Sequence, residues 1–185
     1  MKDNNESYCI YPGSFDPITN GHVNLIERGL HIFDKIIVAI ANNLSKEPMF
    51  TVEERKEMIR LAFANNPESH RIIVDSFDGL LVDYCRSKGV HVVLRGLRAT
   101  SDFEYEFQMT FMNRKLDRTI DTIFMMTGMQ WFFVNSSVIK QAVMSGACVS
   151  GLVPDIVCER LQEKMRSIKS RKAKIPAPRK KEDES

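Results

Sequence analysis

Apolar and polar positions change their period repeatedly along this chain. Tyr8 to Tyr11 is a short apolar run ending at Pro12-Gly13, which predicts a strand closed by a turn. From His22 to Phe33, Val23, Ile26, Leu30 and Phe33 recur at steps of three, four and three, one face of a helix. Lys35 to Asn42 (KIIVAIAN) is β-branched and almost wholly apolar, as a strand covered on both faces must be. Thr51 to Asn65 opens with Thr51 and Glu54 at capping-box spacing and continues as a helix. Arg71 to Phe77 predicts a third strand, and Leu80 to Lys88 a helix stopped by Gly89 in the left-handed region. Val90 to Leu94 predicts a fourth strand that hands the chain to Arg95-Gly96-Leu97-Arg98. A helix over Phe103 to Asp117, a strand over Asp121 to Thr127 and a short helix over Ser136 to Ser145 follow. Pro154 suits the first turn of a last helix that reaches about Ser167.

Strands alternating with helices imply parallel strands joined by right-handed crossovers. The expected fold is therefore α/β, a doubly wound, Rossmann-like five-stranded parallel sheet. Such sheets bind ligands beyond the carboxyl ends of their strands, where the strand order reverses. That rule directs attention to the segments after the strands: 13–22, 43–46, 95–98 and 128–137.

Composition narrows the partners. The chain has 185 residues, 43% hydrophobic and 27% charged, which suits one soluble domain over 1–167. The last 20 residues carry eight Lys or Arg against three Asp or Glu, so the net +2 of the whole chain hides an acidic body. An acidic body is a poor nucleic-acid surface. The tail over 168–185 is charged, rich in Pro and poor in large apolar groups, and is expected to be disordered. No basic start with a following apolar run marks a secretory leader, and no apolar stretch is long enough for a membrane, so a cytoplasmic protein is expected. Four cysteines without Cys-x-x-Cys spacing read as reduced and mostly buried, with no metal site.

The first loop, Tyr11 to His22 (YPGSFDPITNGH), joins a strand to a helix. Gly13 lets a phosphate approach the backbone closely. Backbone N–H groups at Gly21 and His22, at the positive end of the helix, favour an anion, and the imidazole adds a donor aimed at it. A plain capping histidine is the competing reading. The length of the string, with a strand before it and an amphipathic helix after it, favours phosphate chemistry. Thr19-Asn20-Gly21-His22 resembles the (H/T)xGH motif of the nucleotidylyltransferase superfamily, and Tyr11 to His22 as a whole resembles the phosphopantetheine adenylyltransferase family. The resemblance runs from about Tyr8 to Lys164.

The resemblance implies adenylyl transfer from ATP to 4′-phosphopantetheine, giving dephospho-coenzyme A and pyrophosphate, with Mg²⁺ as cofactor and a homo-hexamer as assembly. It implies His22, Lys46 and Arg95 as catalytic residues, Lys46 lying in Lys-Glu-Pro-Met-Phe. Ser14, Lys46, Leu81 and Arg95 would hold the acceptor. Ser14, Phe15, His22, Gly96, Leu97, Arg98, Glu106 and the run Trp131, Phe132, Phe133, Val134, Asn135, Ser136 and Ser137 would hold ATP. Read as residues, Arg95 and Arg98 can each fork onto phosphate oxygens, with Asp102, Glu104 and Glu106 as competing ion-pair partners. Ser136 and Ser137 can cap the following helix. The family usually carries Ile-Ser-Ser-Ser where this chain has Val134-Asn135-Ser136-Ser137, and often a lysine near Met129. Relatives acting on nicotinate mononucleotide or a cytidylyl acceptor, and a binding module without chemistry, are the rivals; the Lys46 and Arg95 strings argue against them.

Overall fold

A computed structural model describes residues 6–42, 47–98 and 100–173. Strands β1 (Tyr8–Gly13), β2 (Lys35–Ala41), β3 (Ile72–Phe77), β4 (Val92–Leu97) and β5 (Asp121–Met126) form one parallel sheet in the order β3-β2-β1-β4-β5. Helices α1 (Asn20–Gly29), α2 (Val52–Ala62), α3 (Leu81–Lys88), α4 (Thr100–Leu116), α5 (Ser136–Met144) and α6 (Asp155–Ala173) cover it. The α/β, doubly wound expectation holds.

The two-residue period of the central strands feeds two cores. Ile36, Val38 and Ile40 of β2 join α1, α2, α5 and α6 on one face. Ile37 and Ala39 join Val82, Tyr84 and Cys85 of α3 on the other. Burial on both faces explains why β2 reads as an unbroken apolar run. Local signals also behave as expected: Thr51 and Glu54 form the capping box of α2, and Gly89 ends α3 at φ 64°.

Several boundaries differ: β1 continues through Pro12 and Gly13, which pair with Ala39 and Ile40 of β2 where a turn was expected, α2 stops at Ala62, and α4 starts at Thr100. Strand β4 runs to Leu97, because Arg95, Gly96 and Leu97 stay in register with Phe124, Met125 and Met126 of β5. Arg95 and Gly96 are therefore strand residues, held more rigidly than a loop would hold them. Helix α1 ends at Gly29, short of Phe33. Helix α6 continues past Ser167 to Ala173, because the charged residues that follow are adequate helix formers. The tail from 174 onward lies outside the described residues. Among the described residues, no helix is long and apolar enough to cross a membrane. The four cysteines are all free thiols.

The strand order reverses between β1 and β4. There the ladder has one register pair, Ile10 with Val93, whereas β1 pairs with β2 over the whole of Tyr8 to Gly13. Beyond Ile10 the two strands are not in register, and that gap at their carboxyl ends is where the site lies.

Candidate active site

A cleft of about 380 Å³ opens at the β1–β4 gap. Ser14, Phe15, His22, Arg95, Gly96, Arg98, Glu106, Val134, Asn135, Ser136 and Ser137 line it, so most of the sequence-derived nucleotide set converges here. Leu97, Trp131, Phe132 and Phe133 are not in that lining. Leu97, the last residue of β4, is half-buried outside it. The Trp131 Cβ lies 3.3 Å from where a Cβ on Gly21 would sit, bracing the loop, while Phe133 is 82% exposed. Leu81 lines a second, larger cavity of about 760 Å³ on the other side of Arg95. Pro12, Gly13, Ser14, Arg95, Glu106, Ser136 and Ser137 border both. Lys46 lies outside the described residues.

The first loop is built to fix one imidazole. Thr19 caps α1, and His22 occupies the position that Glu fills in an ordinary capping box. The Thr19 backbone N–H donates to His22 Nδ1 at 3.0 Å, and the His22 N–H donates to Thr19 Oγ1 at 3.4 Å. A backbone N–H can only donate, so Nδ1 must be the acceptor and the ring proton sits on Nε2. The capping and phosphate readings of His22 are thus one arrangement, because the cap selects the tautomer. Phe15 and Tyr11 support the ring, with Phe15 edge-on at 5.1 Å between centroids. Enclosure, with Arg98 and then Arg95 nearby, pushes the imidazole pKa down to about 3. At neutral pH His22 is an uncharged Nε2–H donor.

The helix start differs from the sequence expectation. Of the first-turn donors, Asn20 N–H goes to the Leu152 carbonyl at 3.0 Å, and those of Thr19 and His22 are used within the cap. Only the Gly21 N–H has no partner among the described residues, so α1 offers an anion one backbone donor where two were expected. Phe15, at φ 45°, is a non-glycine residue in the left-handed region, a strain of about 1 kcal/mol. Its ring is almost wholly buried, so tertiary packing holds the loop in this shape.

Arg95 bridges the gap in the sheet. Its Nη1 donates to the Pro12 carbonyl at 2.8 Å, across the strands that no longer pair. Its Nε donates to Glu106 Oε2 at 2.6 Å, and its Nη2 to Glu106 Oε1. Among the described side chains, Glu106 on α4 is the acid that Arg95 engages. Burial works against the guanidinium charge, but the Glu106 carboxylate outweighs it and raises the Arg95 pKa. Arg98 reaches across to the Val134 carbonyl at 3.4 Å.

The start of α5 corrects a further expectation. Asn135 is the N-cap, its side chain accepting from Val138 N–H at 2.9 Å. The Ser136 hydroxyl instead donates to the Pro17 carbonyl at 2.8 Å and ties α5 to the first loop. Asn is as good a cap as Ser, so the departure at 135 preserves the helix start. First-turn N–H groups have no intrahelical acceptors, and those of Ser136 and Ser137 lie at the cleft wall.

Gly96 keeps the cleft open. A Cβ there would lie 2.4 Å from Cδ1 of Leu25, which is fully buried. Gly96→Ala is therefore expected to destabilise the fold by about 1–3 kcal/mol through overpacking. Urea unfolding checks this, and Leu25→Val added to it should recover part of the loss.

Sequence reasoning missed three polar residues. Asp16 is buried and accepts from Met49 N–H and Phe50 N–H, both at 3.0 Å, and from Lys140 Nζ at 2.5 Å. Arg55, also buried, donates to the Ser14 carbonyl at 2.8 Å. No local pattern announces these contacts, since their partners lie far away along the chain.

Residues 10–142 match the family described as cytidylyltransferase-like. The chain is 56% identical to a phosphopantetheine adenylyltransferase of Anaeromyxobacter dehalogenans (strain 2CP-C) over 157 residues, 85% of this chain and 94% of that protein. It is 55% identical to the enzyme of that name from Syntrophus aciditrophicus (strain SB), over 84% of this chain and 93% of that one. Against that of Nitratidesulfovibrio vulgaris (strain DP4) it is 51% identical, over 89% and 87%. This chain belongs to the phosphopantetheine adenylyltransferase family. The family match covers β1 from Ile10 onward, all of β2 to β5 and every residue lining the cleft, so the family resemblance and the geometry concern the same surface.

Proposed function

We propose that this chain transfers the adenylyl group of ATP to 4′-phosphopantetheine, releasing pyrophosphate and dephospho-coenzyme A by in-line attack without a covalent intermediate. The observation that carries this reading is the neutral, tautomer-locked His22 at the sheet's reversal point, with Arg95 and Arg98 beside it.

The acceptor phosphate monoester has a second pKa near ~6, so it is already a nucleophile at neutral pH and needs no general base. The protein's task is positioning and charge neutralisation. His22 Nε2–H donates to the α-phosphate as it becomes five-coordinate. Arg98 engages the β- and γ-phosphates, and the N–H groups at the start of α5 supply further donors. Lys46 and Arg95 hold the acceptor phosphate, with Ser14 as a ligand and not a nucleophile. Leu81 and the larger cavity take the pantetheine arm.

Mg²⁺ would enter with the nucleotide. The carboxylates at the cleft are engaged, Glu106 by Arg95 and Asp16 by Lys140, and the described residues contain no group of three His, Cys, Asp or Glu able to hold a metal. The chain thus fits an ion carried on phosphate oxygens and water rather than a protein cage. No step above runs through it.

A cytoplasmic homo-hexamer belongs to the same proposal. Helix α4 leaves Tyr105, Phe111 and Met112 exposed, and β5 leaves Ile123 and Met126, an apolar surface of the kind assemblies cover. Sedimentation of the full chain tests it, a monomer counting against it.

The deciding assay is pyrophosphate release with ATP, Mg²⁺ and each of three acceptors: phosphopantetheine, nicotinate mononucleotide and a phosphorylated alcohol with CTP replacing ATP. Turnover is expected with the first alone. Faster turnover with either other acceptor would overturn the reading.

A further inference from the structure

We infer that Asp16 is a positioning residue that sets the acceptor-side wall of the site against the nucleotide side, with Lys140 as its charge partner. The inference rests on the acceptor assignment above.

The carboxylate is 3% exposed, yet it lies where three separate segments meet. It belongs to the first loop, three residues before the Thr19 cap that fixes His22. Its two oxygens accept from the backbone N–H groups of Met49 and Phe50, one each, at 3.0 Å. Its Oδ2 also meets Lys140 Nζ of α5 at 2.5 Å. Helix α5 is the element whose first turn lines the nucleotide cleft. The segment just before Met49, Glu47 and Pro48, lines the larger cavity. One buried anion therefore joins the walls of both cavities.

The placement is specific rather than incidental. An ionised carboxylate accepts only, and charge-assisted bonds to N–H groups are about twice as strong as neutral ones. Met49 and Phe50 lie before the Thr51 cap, so no helix supplies acceptors for their N–H groups. Arg55 stitches the same two segments from the other direction, through the Ser14 carbonyl. The Lys140 ammonium, 26% exposed, offsets the desolvation of the almost wholly buried Asp16 carboxylate. Asp16 and Lys140 themselves border the larger cavity, so the junction is part of the wall it positions. Its effect reaches the chemistry through where Glu47, Pro48 and α5 stand relative to His22. Misplacement of a reactant by about 1 Å costs on the order of 100-fold in rate.

The test compares Asp16→Asn, Lys140→Met and Lys140→Arg in the full chain. Asparagine keeps one acceptor oxygen and loses the charge. Asp16→Asn is expected to lower kcat/KM for phosphopantetheine about 30- to 100-fold, while the Kd of ATP measured without acceptor stays within about 3-fold. Lys140→Met should give a smaller loss of the same kind, and Lys140→Arg should restore near-normal values. Hydrogen exchange at the Met49 and Phe50 amides should quicken at least ten-fold in Asp16→Asn, a readout that needs no turnover. Unchanged amide exchange would overturn the inference. So would parallel weakening of ATP and acceptor, which marks general loosening, or a defect that excess Mg²⁺ repairs, which marks a metal ligand. Should Asp16→Asn fail to fold, the two Lys140 variants carry the comparison, and an unaltered acceptor parameter in Lys140→Met overturns it. If the wild-type chain does not turn over phosphopantetheine, the acceptor assignment fails instead, and the amide exchange still reports on Asp16.

Discussion

His22→Ala is expected to lower kcat by more than about a hundred-fold and to leave ATP affinity within a few-fold. Loss of one fixed donor to developing charge costs roughly 10²–10³ in rate. On the proposed mechanism the Nε2–H would contribute mainly as the α-phosphorus gains a fifth oxygen, whereas Arg98 and the α5 donors would hold bound ATP. Stopped-flow turnover and equilibrium nucleotide binding check the two halves, and near-normal turnover would remove His22 from the mechanism. The tautomer makes the prediction sharper. His22→Gln, which can present an amide donor without a ring, should retain more activity than His22→Ala.

The same residue predicts a pH dependence of stability. Its folded pKa of about 3 lies below the ordinary 6.5, so the fold binds its proton more weakly than the unfolded chain does. The contribution is complete above about pH 6.5 and is lost progressively as pH falls from there towards 3. Denaturant midpoints measured across that window should fall more steeply for the wild type than for His22→Gln. The rate itself should show no histidine inflection near neutrality, only the acceptor phosphate's own titration near ~6.

Arg95→Met is expected to abolish detectable turnover and to destabilise the fold. The variant strands the Glu106 carboxylate, whose side chain is 12% exposed, and leaves the Pro12 carbonyl without its donor. Stranding a buried partner costs about 3–5 kcal/mol when the pair is fully enclosed. The Arg95 side chain retains 27% exposure, so about 2–3 kcal/mol is expected here. Adding Glu106→Gln should return much of the stability and none of the activity. Urea unfolding and pyrophosphate release, measured on both variants, separate the structural from the chemical role of the guanidinium. Recovery of activity in the double variant would mean that Arg95 serves only to neutralise Glu106.

Those two roles illustrate what the chain's order of residues could and could not reveal. Much of what contacts within about four residues govern was legible. The apolar period gave β2 as a doubly covered strand, the Thr51–Glu54 spacing gave a helix start, and Gly89 gave a helix end. Alternation of strands and helices implied a parallel sheet, and a parallel sheet implies a cleft where its order reverses. That chain of local rules pointed to the segments that carry His22, Arg95 and Gly96. Misreadings were also local in kind. Strand β4 outlasted its expected end because pairing with β5 overrode the turn-forming look of Arg95-Gly96, and Asn135 displaced Ser136 as the cap of α5.

Tertiary structure alone decided which charges meet. Glu104 and Glu106 were both candidates for Arg95 until the register of β4 and the packing of α4 paired it with Glu106. Asp16 and Lys140 are 124 positions apart, and Arg55 and Ser14 are 41 apart, so no periodicity could pair them. Even the His22 tautomer, set by residues only three apart, depended on the β-region backbone that Thr19 adopts as a cap. Secondary structure follows from hydrogen bonds between near neighbours, which a linear pattern records. A polar junction at a buried site follows from desolvation, which charges can withstand only where the folded chain brings them together.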